Sequence, residues 1–194
     1  MKKDIILAGV GGQGILSIAA IIGYAAVESD LHIKQAEVHG MSQRGGDVQS
    51  HLRLSSQPIA SDLIPHGHAD LILSVEPMES LRYLPFLSKQ GWLVTNTRPF
   101  VNISNYPEEE KLMAEIKAQP QHIAIDAEST AKEAGSVKAA NVVMLGAAAD
   151  FLGIPPEKLE QAIRFIFGRK GDDLVELNIK AFRAGMLFAQ NQRG

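Results

Sequence analysis

The first candidate for chemistry is a glycine-rich segment near the start of the chain. Gly9-Val10-Gly11-Gly12-Gln13-Gly14 fits the spacing G-x-G-x-x-G, follows an apolar run at 4–8 and precedes an apolar helical pattern at 15–29. In a strand, turn and helix of this kind, free backbone N–H groups and the helix dipole favour a phosphate or another anion. The glycines could instead serve only to tighten the turn between strand and helix.

A second unusual segment is Ser42-Gln43-Arg44-Gly45-Gly46. An arginine beside paired glycines can present its guanidinium fork to a phosphate or a carboxylate. In an open α/β sheet such a loop could face the first glycine turn. The alternative is a solvated hairpin tip, because loops of this composition are common.

The other polar residues form no self-sufficient catalytic arrangement. His39, His51, His66 and His68 have no carboxylate at metal-ligand spacing, so we predict no metal site. In a dinucleotide site an acidic residue about 20 positions after the glycines binds ribose hydroxyls, and Glu37 is the candidate nearest that distance. The absence of a catalytic group beside a ligand-binding turn suggests a subunit that binds a ligand and docks with a partner.

Composition narrows the classes of partner and cofactor. The chain has 194 residues, 45% of them hydrophobic, which fits one domain spanning 1–194. Its formal net charge of -3 leaves no broad basic surface for nucleic acid. It has no cysteine, which excludes disulfides, thiolate-held zinc, Cys-ligated iron–sulfur clusters and a cysteine nucleophile.

The uncharged stretch at 5–27 superficially resembles a secretory signal or a membrane span. Asp4 interrupts the junction between the basic start and this stretch, Gln13 lies within it, and its glycines would weaken a spanning helix. A buried strand, turn and helix explains the same residues better, so we expect no membrane association and a cytoplasmic location.

Hydrophobic periodicity predicts an α/β fold with a doubly wound, mostly parallel (mixed), Rossmann-like sheet and helices on both faces. Strands are predicted at 4–8, 33–38, 48–54, 71–75, 92–97 and 123–125. Helices are predicted at 15–29, 78–87, 108–117, 127–134, 139–152, 157–167 and 172–190. The link between 33–38 and 48–54 is too short for a helical crossover, so these two strands are expected to be antiparallel. Asp126 is expected at the carboxyl end of the last strand.

Three motifs in a fixed order carry a family resemblance. They are Gly9-Val10-Gly11-Gly12-Gln13-Gly14-Ile15, then Ser42-Gln43-Arg44-Gly45-Gly46, then Asn141-Val142-Val143-Met144-Leu145-Gly146-Ala147. Over nearly its whole length the chain resembles the gamma domain of 2-oxoacid:ferredoxin oxidoreductases, and the indolepyruvate type is the most similar branch. The specific part of the resemblance is GGQG combined with a downstream RGG.

The resemblance implies a larger partner subunit that carries thiamine diphosphate and iron–sulfur clusters, decarboxylates an aryl 2-oxoacid and passes electrons to ferredoxin. It also implies that this chain is inactive alone and helps to bind coenzyme A, the acyl acceptor. The absence of cysteine agrees with this division of labour. In isolation the chain could form a homodimer. The candidate binding residues are Gly9, Gly11, Gly12, Gln13, Gly14, Ser42, Arg44, Gly45 and Asn141.

Other functions stay open at this point. Paralogues that act on pyruvate, 2-oxoglutarate or branched-chain oxoacids share the same domain. A free-standing NAD(P)-dependent oxidoreductase would need Glu37 on a ribose and a proton donor in the pocket, and the sequence shows no such donor. A nucleotide-sensing scaffold would bind a nucleotide without recruiting a thiamine enzyme.

Overall fold

A six-stranded sheet lies at the centre of the computed structural model, which describes residues 1–39 and 45–193. Its strands are β1 (Lys2–Val10), β2 (His32–His39), β3 (Asp47–Ser55), β4 (Ala69–Ser74), β5 (Leu87–Asn96) and β6 (His122–Ile125). The helices are α1 (Ile15–Val27), α2 (Pro77–Arg82), α3 (Glu109–Lys117), α4 (Ala127–Ala134), α5 (Ala140–Ala148), α6 (Pro156–Phe167) and α7 (Asp172–Arg193).

The sheet is mixed, with the strand order β2-β3-β1-β4-β5-β6. β1, β4, β5 and β6 are parallel to one another, whereas β3 is antiparallel to both β1 and β2. The predicted mixed α/β sheet and its antiparallel insertion are therefore confirmed. Because β3 runs against the others, it starts at the edge where the parallel strands end.

Both faces of the sheet are covered. Ile5 and Leu7 of β1 belong to one buried cluster with α1 and α4 to α7, while Ile6 and Ala8 belong to a second cluster with residues of α3 and the end of α2. Side chains alternate between the faces of a strand, so an uninterrupted apolar run places apolar groups on both. This pattern explains why β1 lies in the middle of the sheet.

The predicted helix at 78–87 is wrong in its second half. Pro77 occupies the first turn of α2, where a missing N–H costs nothing, and the helix ends at Arg82. A 3-10 turn containing Pro85 follows, and β5 begins at Leu87 instead of the predicted Trp92. The early part of β5 is polar, so a search for apolar runs does not identify it as a strand.

The predicted helix at 139–152 is interrupted. A 3-10 turn over 137–139 precedes α5, and another over 149–151 follows it. The helical core is confirmed and packs closely against α7. A Cβ on Gly146 would lie 2.0 Å from the carbonyl oxygen of Phe182, and one on Gly185 would lie 2.0 Å from that of Val143. The two helix backbones are therefore in direct contact.

Candidate functional site

The candidate site lies at the edge of the sheet where the parallel strands end. β1 leads into the glycine turn, β4 into Val75, β5 ends at Asn96, and β6 leads into Asp126. Ligands of open α/β sheets bind outside these carboxyl ends, because the loops there converge from several strands. Asp126 lies where the sequence predicted it and caps α4 by accepting a hydrogen bond from the N–H of Ser129 at 2.9 Å.

The glycine turn is closed by the side chain of Gln13. Its Oε1 accepts from the N–H of Val10 at 2.8 Å, and its Nε2 donates to the carbonyl oxygen of Val75 at 3.4 Å. Gly12 and Gly14 have φ values of +101° and +86°, which side chains with a Cβ rarely adopt. Gln13 therefore shapes the turn and links it to β4, a role that the sequence pattern does not reveal.

Residues 45 and 46 lie directly against the glycine turn. The N–H of Gly11 donates to the carbonyl oxygen of Gly46 at 2.9 Å, so this predicted anion donor is already occupied. The carbonyl oxygen of Gly45 accepts from Nδ2 of Asn102 at 2.6 Å. Two other predicted binding residues, Ser42 and Arg44, lie outside the described residues.

Two helices begin close together at this edge of the sheet. Gly14 precedes α1, whose start has no side-chain cap. α5 continues the 3-10 turn at 137–139, in which Oγ of Ser136 accepts from the N–H of Lys138 and the N–H of Ala140 donates to the carbonyl oxygen of Val137. Nδ2 of Asn141 donates to the carbonyl oxygen of Gly14 at 3.2 Å, which joins the two helix starts. Helix N-termini carry partial positive charge, so their convergence favours an anion.

Two adjoining clefts open between these helix starts. The first has a volume of about 210 Å³ and the second about 340 Å³. The residues that line both are Gly12, Gln13, Lys138 and Asn141. Lys138 is exposed and forms no ion pair with any residue of the described ranges, so its charge is available to a ligand. Four predicted residues, Gly12, Gln13, Gly14 and Asn141, are thus brought together.

Three cleft residues were missed by the sequence analysis. Lys138 lies in a 3-10 turn, Asn96 ends β5, and Glu128 is in the first turn of α4. Each is an isolated polar residue that shares no motif with the others, so only the folding of distant segments brings them into one cleft. The single available signal was position, because Asn96 lies near the end of the strand predicted at 92–97 and Glu128 follows the strand predicted at 123–125.

Glu37, the candidate for a ribose, is not among the residues that line these clefts. It lies on β2, and β3 separates that strand from β1. In a dinucleotide fold the corresponding acidic residue ends the strand next to β1. The antiparallel insertion therefore removes the neighbour relationship on which the prediction depended.

A group of ionisable residues, of which Glu79 and Tyr83 are buried, lies beside residues 45–47. Tyr83 donates its hydroxyl to Oδ2 of Asp47 at 2.7 Å, and Arg82 donates from Nε to Oε2 of Glu79 at 2.6 Å. Burial raises the pKa of Glu79 to about 7, and the nearby carboxylate of Asp47 adds to the rise against the lowering effect of Arg82. Burial and the hydrogen bond to Asp47 raise the pKa of Tyr83 as well.

A second buried carboxylate, Glu76, organises the segment after β5. It is fully buried, caps α2 through the N–H of Glu79, and accepts from the N–H of Phe100 at 3.2 Å and from the hydroxyl of Tyr106. This pairing fixes the segment that carries Asn102 against Gly45. All of these ionisable groups have structural partners, and none faces the shared clefts.

The arrangement has the chemistry to bind an anion. It offers helix N-termini, a lysine and amide groups to an anionic ligand. Within the described ranges, no three His, Cys, Asp or Glu side chains come close enough to hold a metal ion. No helix in these ranges is long and apolar enough to cross a membrane.

Comparison with known proteins identifies relatives across almost the whole chain. The family model described as pyruvate ferredoxin/flavodoxin oxidoreductase matches residues 4–188. The indolepyruvate oxidoreductase subunit IorB of Archaeoglobus fulgidus is 39% identical over 95% of this chain and 94% of its own length. The IorB subunit of Pyrococcus horikoshii is also 39% identical, and the match covers 98% of both chains.

Solved structures show the same fold. One is a keto/oxoacid ferredoxin oxidoreductase gamma subunit from Geobacter sulfurreducens, which is 26% identical and has a TM-score of 0.71. The match covers 97% of this chain and 99% of that subunit. A 2-oxoglutarate:ferredoxin oxidoreductase from Magnetococcus marinus, solved with 2-oxoglutarate, coenzyme A and succinyl-CoA bound, gives a TM-score of 0.79 at 23% identity. There 98% of this chain corresponds to 31% of a longer chain.

Proposed function

Because the chain belongs to the pyruvate ferredoxin/flavodoxin oxidoreductase family, we propose that it is the small, non-thiamine subunit of an indolepyruvate:ferredoxin oxidoreductase. In the overall reaction an aryl 2-oxoacid loses CO₂, its acyl carbon bonds to the sulfur of coenzyme A with release of the thiol proton, and two electrons pass to ferredoxin. The choice of an aryl oxoacid rests on sequence identity to the relatives. The two IorB subunits described above are 39% identical, against 27% for a ketoisovalerate oxidoreductase subunit of Methanothermobacter marburgensis.

The chemistry of the oxoacid is assigned to a larger partner subunit. Homologues of this chain are small subunits of multi-subunit oxidoreductases, and this chain has no cysteine with which to hold an iron–sulfur cluster. We assign thiamine diphosphate and the clusters to the partner, which would supply the carbanion chemistry and the electron path to ferredoxin. The whole of 1–194 would then act as one gamma-type domain without activity of its own. A cytoplasmic location is part of this proposal.

The cleft at the glycine turn is proposed to hold the phosphates of coenzyme A. The single observation that carries this assignment is the convergence of the start of α1, which has no side-chain cap, and the start of α5 on a cleft that also contains Lys138. The residues fit the group, because backbone N–H groups and an unpaired ammonium are donors that phosphates prefer. Asn141 would hold the two helix starts together.

An NAD(P)-binding function has less support. The acidic residue that it needs, Glu37, is on an edge strand that β3 separates from β1. The named relatives belong to oxoacid oxidoreductases, and none of them points to a nicotinamide enzyme.

The test uses the complex of this chain with its larger subunit, prepared without oxygen. Reduction of a viologen dye should require indolepyruvate, coenzyme A and both subunits. Lys138→Ala should raise the apparent KM for coenzyme A about tenfold, as expected when one charged contact to phosphate is lost, and leave kcat at saturation nearly unchanged. Lys132→Ala is the matched control, since Lys132 is exposed in α4 and lines neither cleft. Full activity of the larger subunit alone would contradict the proposal.

A further inference from the structure

The cleft assigned to phosphates also contains a carboxylate. Glu128 lines the smaller cleft together with Lys138 and the glycine turn. A phosphate placed against Glu128 would be repelled, so Glu128 and Lys138 cannot serve the same ligand group. The position of Glu128 therefore needs an explanation beyond the binding of an anion.

Asn96 holds this carboxylate in place. Asn96 is 2% exposed, and its Oδ1 accepts from the N–H of Ala127 at 3.1 Å. That contact fixes the orientation of the amide, so Nδ2 faces Glu128, at 3.2 Å from Oε1 and 3.1 Å from Oε2. The carboxylate thus has a fixed position in the lining of the cleft.

Most of the hydrogen-bonding capacity of Glu128 remains unused. Nδ2 of Asn96 has two protons and also lies 3.3 Å from the carbonyl oxygen of Val75, so it supplies at most one good bond to the carboxylate. Ionised carboxylates have about four acceptor sites. No other donor in the described part of the chain bonds to Glu128, and the nearby Arg98 is paired with Asp126.

We propose that Glu128 accepts a hydrogen bond from a hydroxyl or amide N–H of the ligand whose phosphate binds at the glycine turn. The site is then bipartite, with the helix N-termini and Lys138 at the anionic end and the clamped carboxylate at the donor end. This inference rests on the proposed function, since coenzyme A carries both phosphates and hydroxyl and amide donors. Glu128 would make the cleft selective for such a ligand over a bare polyphosphate.

The position of Glu128 also has a simpler explanation, and the test must distinguish it from ligand binding. An acidic residue in the first turn of a helix interacts favourably with the helix dipole, and α4 would gain from Glu128 on that account alone. A residue with only this role would affect the stability of the fold and would not distinguish between two ligands. Discrimination between ligands is therefore the decisive measurement.

The experiment measures binding to the assembled complex by titration calorimetry, with thiamine diphosphate saturating and no oxoacid present. The two probes are coenzyme A and inorganic pyrophosphate, and pyrophosphate is also titrated in competition with coenzyme A. Glu128→Ala should weaken coenzyme A binding about tenfold, the loss expected for a hydrogen bond to a charged group, and leave pyrophosphate binding unchanged or tighter. Lys138→Ala should weaken both. Glu133→Ala, an exposed carboxylate of the same helix, should change neither.

Glu128→Gln is the second variant, because it preserves the size of the side chain and one carbonyl acceptor. An intermediate loss of coenzyme A affinity supports the proposal, and this variant decides the matter if Glu128→Ala does not assemble. If Glu128→Ala and Glu128→Gln each change the affinities for coenzyme A and pyrophosphate by the same factor, the donor subsite is overturned. The phosphate site would stand in that case. A wild-type complex that binds neither probe would overturn the proposed function and, with it, the subsite.

Discussion

The side-chain amide of Asn141 donates to the carbonyl oxygen of Gly14 across 127 residues of sequence. This contact joins the starts of α1 and α5, so the two helix N-termini face one cleft as a unit. Because the contact is a single hydrogen bond between a side chain and the backbone, it can be removed without altering either helix.

Asn141→Ala should loosen the two helix starts. The expected loss of stability is about 1 kcal/mol, typical of one hydrogen bond, and the affinity of the complex for coenzyme A should fall. Urea unfolding followed by circular dichroism gives the free energy of unfolding, and calorimetry gives the affinity. Asn191→Ala, at an exposed position of α7, is the control. An unchanged affinity would show that Asn141 has only a structural role.

Gly14→Ala should disrupt the turn for two reasons. The φ of +86° costs an L residue about 1–2 kcal/mol, and the added Cβ would lie 2.6 Å from Nδ2 of Asn141. Gly67→Ala has the backbone strain without the clash, since Gly67 has a φ of +74° and nothing within 4 Å of its Cβ position. Both variants should lose stability, but only Gly14→Ala should lose coenzyme A binding as well. Equal binding by the two variants would contradict this expectation.

The buried carboxyl group of Glu79 should make stability depend on pH. Its pKa is raised from 4.5 to about 7, so between these values the folded chain binds more protons than the unfolded chain. The free energy of unfolding should therefore fall as pH rises from about 4.5 to 7 and level off above this range. Glu79→Gln should flatten that profile in urea unfolding measured at a series of pH values.

Glu160→Gln is the control variant for the pH dependence of stability expected from Glu79. Glu160 forms an ion pair with Arg183, with Nε of Arg183 2.6 Å from Oε1 of Glu160. Its replacement should leave the slope between pH 4.5 and 7 as in the wild type. A Glu79→Gln variant with the wild-type slope would show that another group is responsible for the pH dependence.

Gly146→Ala should destabilise the contact of α5 with α7. The added methyl group would lie 2.0 Å from the backbone oxygen of Phe182, so the helices must separate at an expected cost of about 3 kcal/mol. Gly168→Ala is the matched control, with an ordinary helical backbone and open space around its Cβ position. A thermal melt of each variant, followed by circular dichroism, tests the difference. Equal melting temperatures would rule out a tight crossing.

The sequence predicts the strands of this fold better than its helix ends. Apolar runs such as 4–8 and 71–75 identify buried strands because both faces of each are covered. The polar start of β5 at Leu87 escapes this criterion, since its position depends on pairing with Ala69 of β4. In the same way, the 3-10 turn at 149–151 that ends α5 contains no proline or glycine to mark it in the sequence.

At the site, the sequence predicts the residues of the glycine turn and misses their surroundings. A motif with fixed spacing is visible within one segment, so Gly12 and Gly14 could be identified in advance. The pairing of Asn96 with Glu128 joins two separate elements, and no local pattern encodes it. The role of Glu37 in the alternative NAD(P) function depends on strand order, which follows from the antiparallel β3 and cannot be read from residue spacing alone.

Trp92, the chain's one tryptophan, stacks on Phe151 with ring centroids 4.5 Å apart. It precedes Asn96 by four residues on β5, so it lies about 13 Å along the strand from the cleft. Arg193, at the end of α7, places its guanidinium 5.1 Å from the centre of the Phe151 ring. Intrinsic fluorescence should therefore report the docking of the last turn of α7 and the loss of the fold. A ligand entering the cleft should leave the emission almost unchanged, which makes this tryptophan a natural optical probe of folding in the presence of bound ligand.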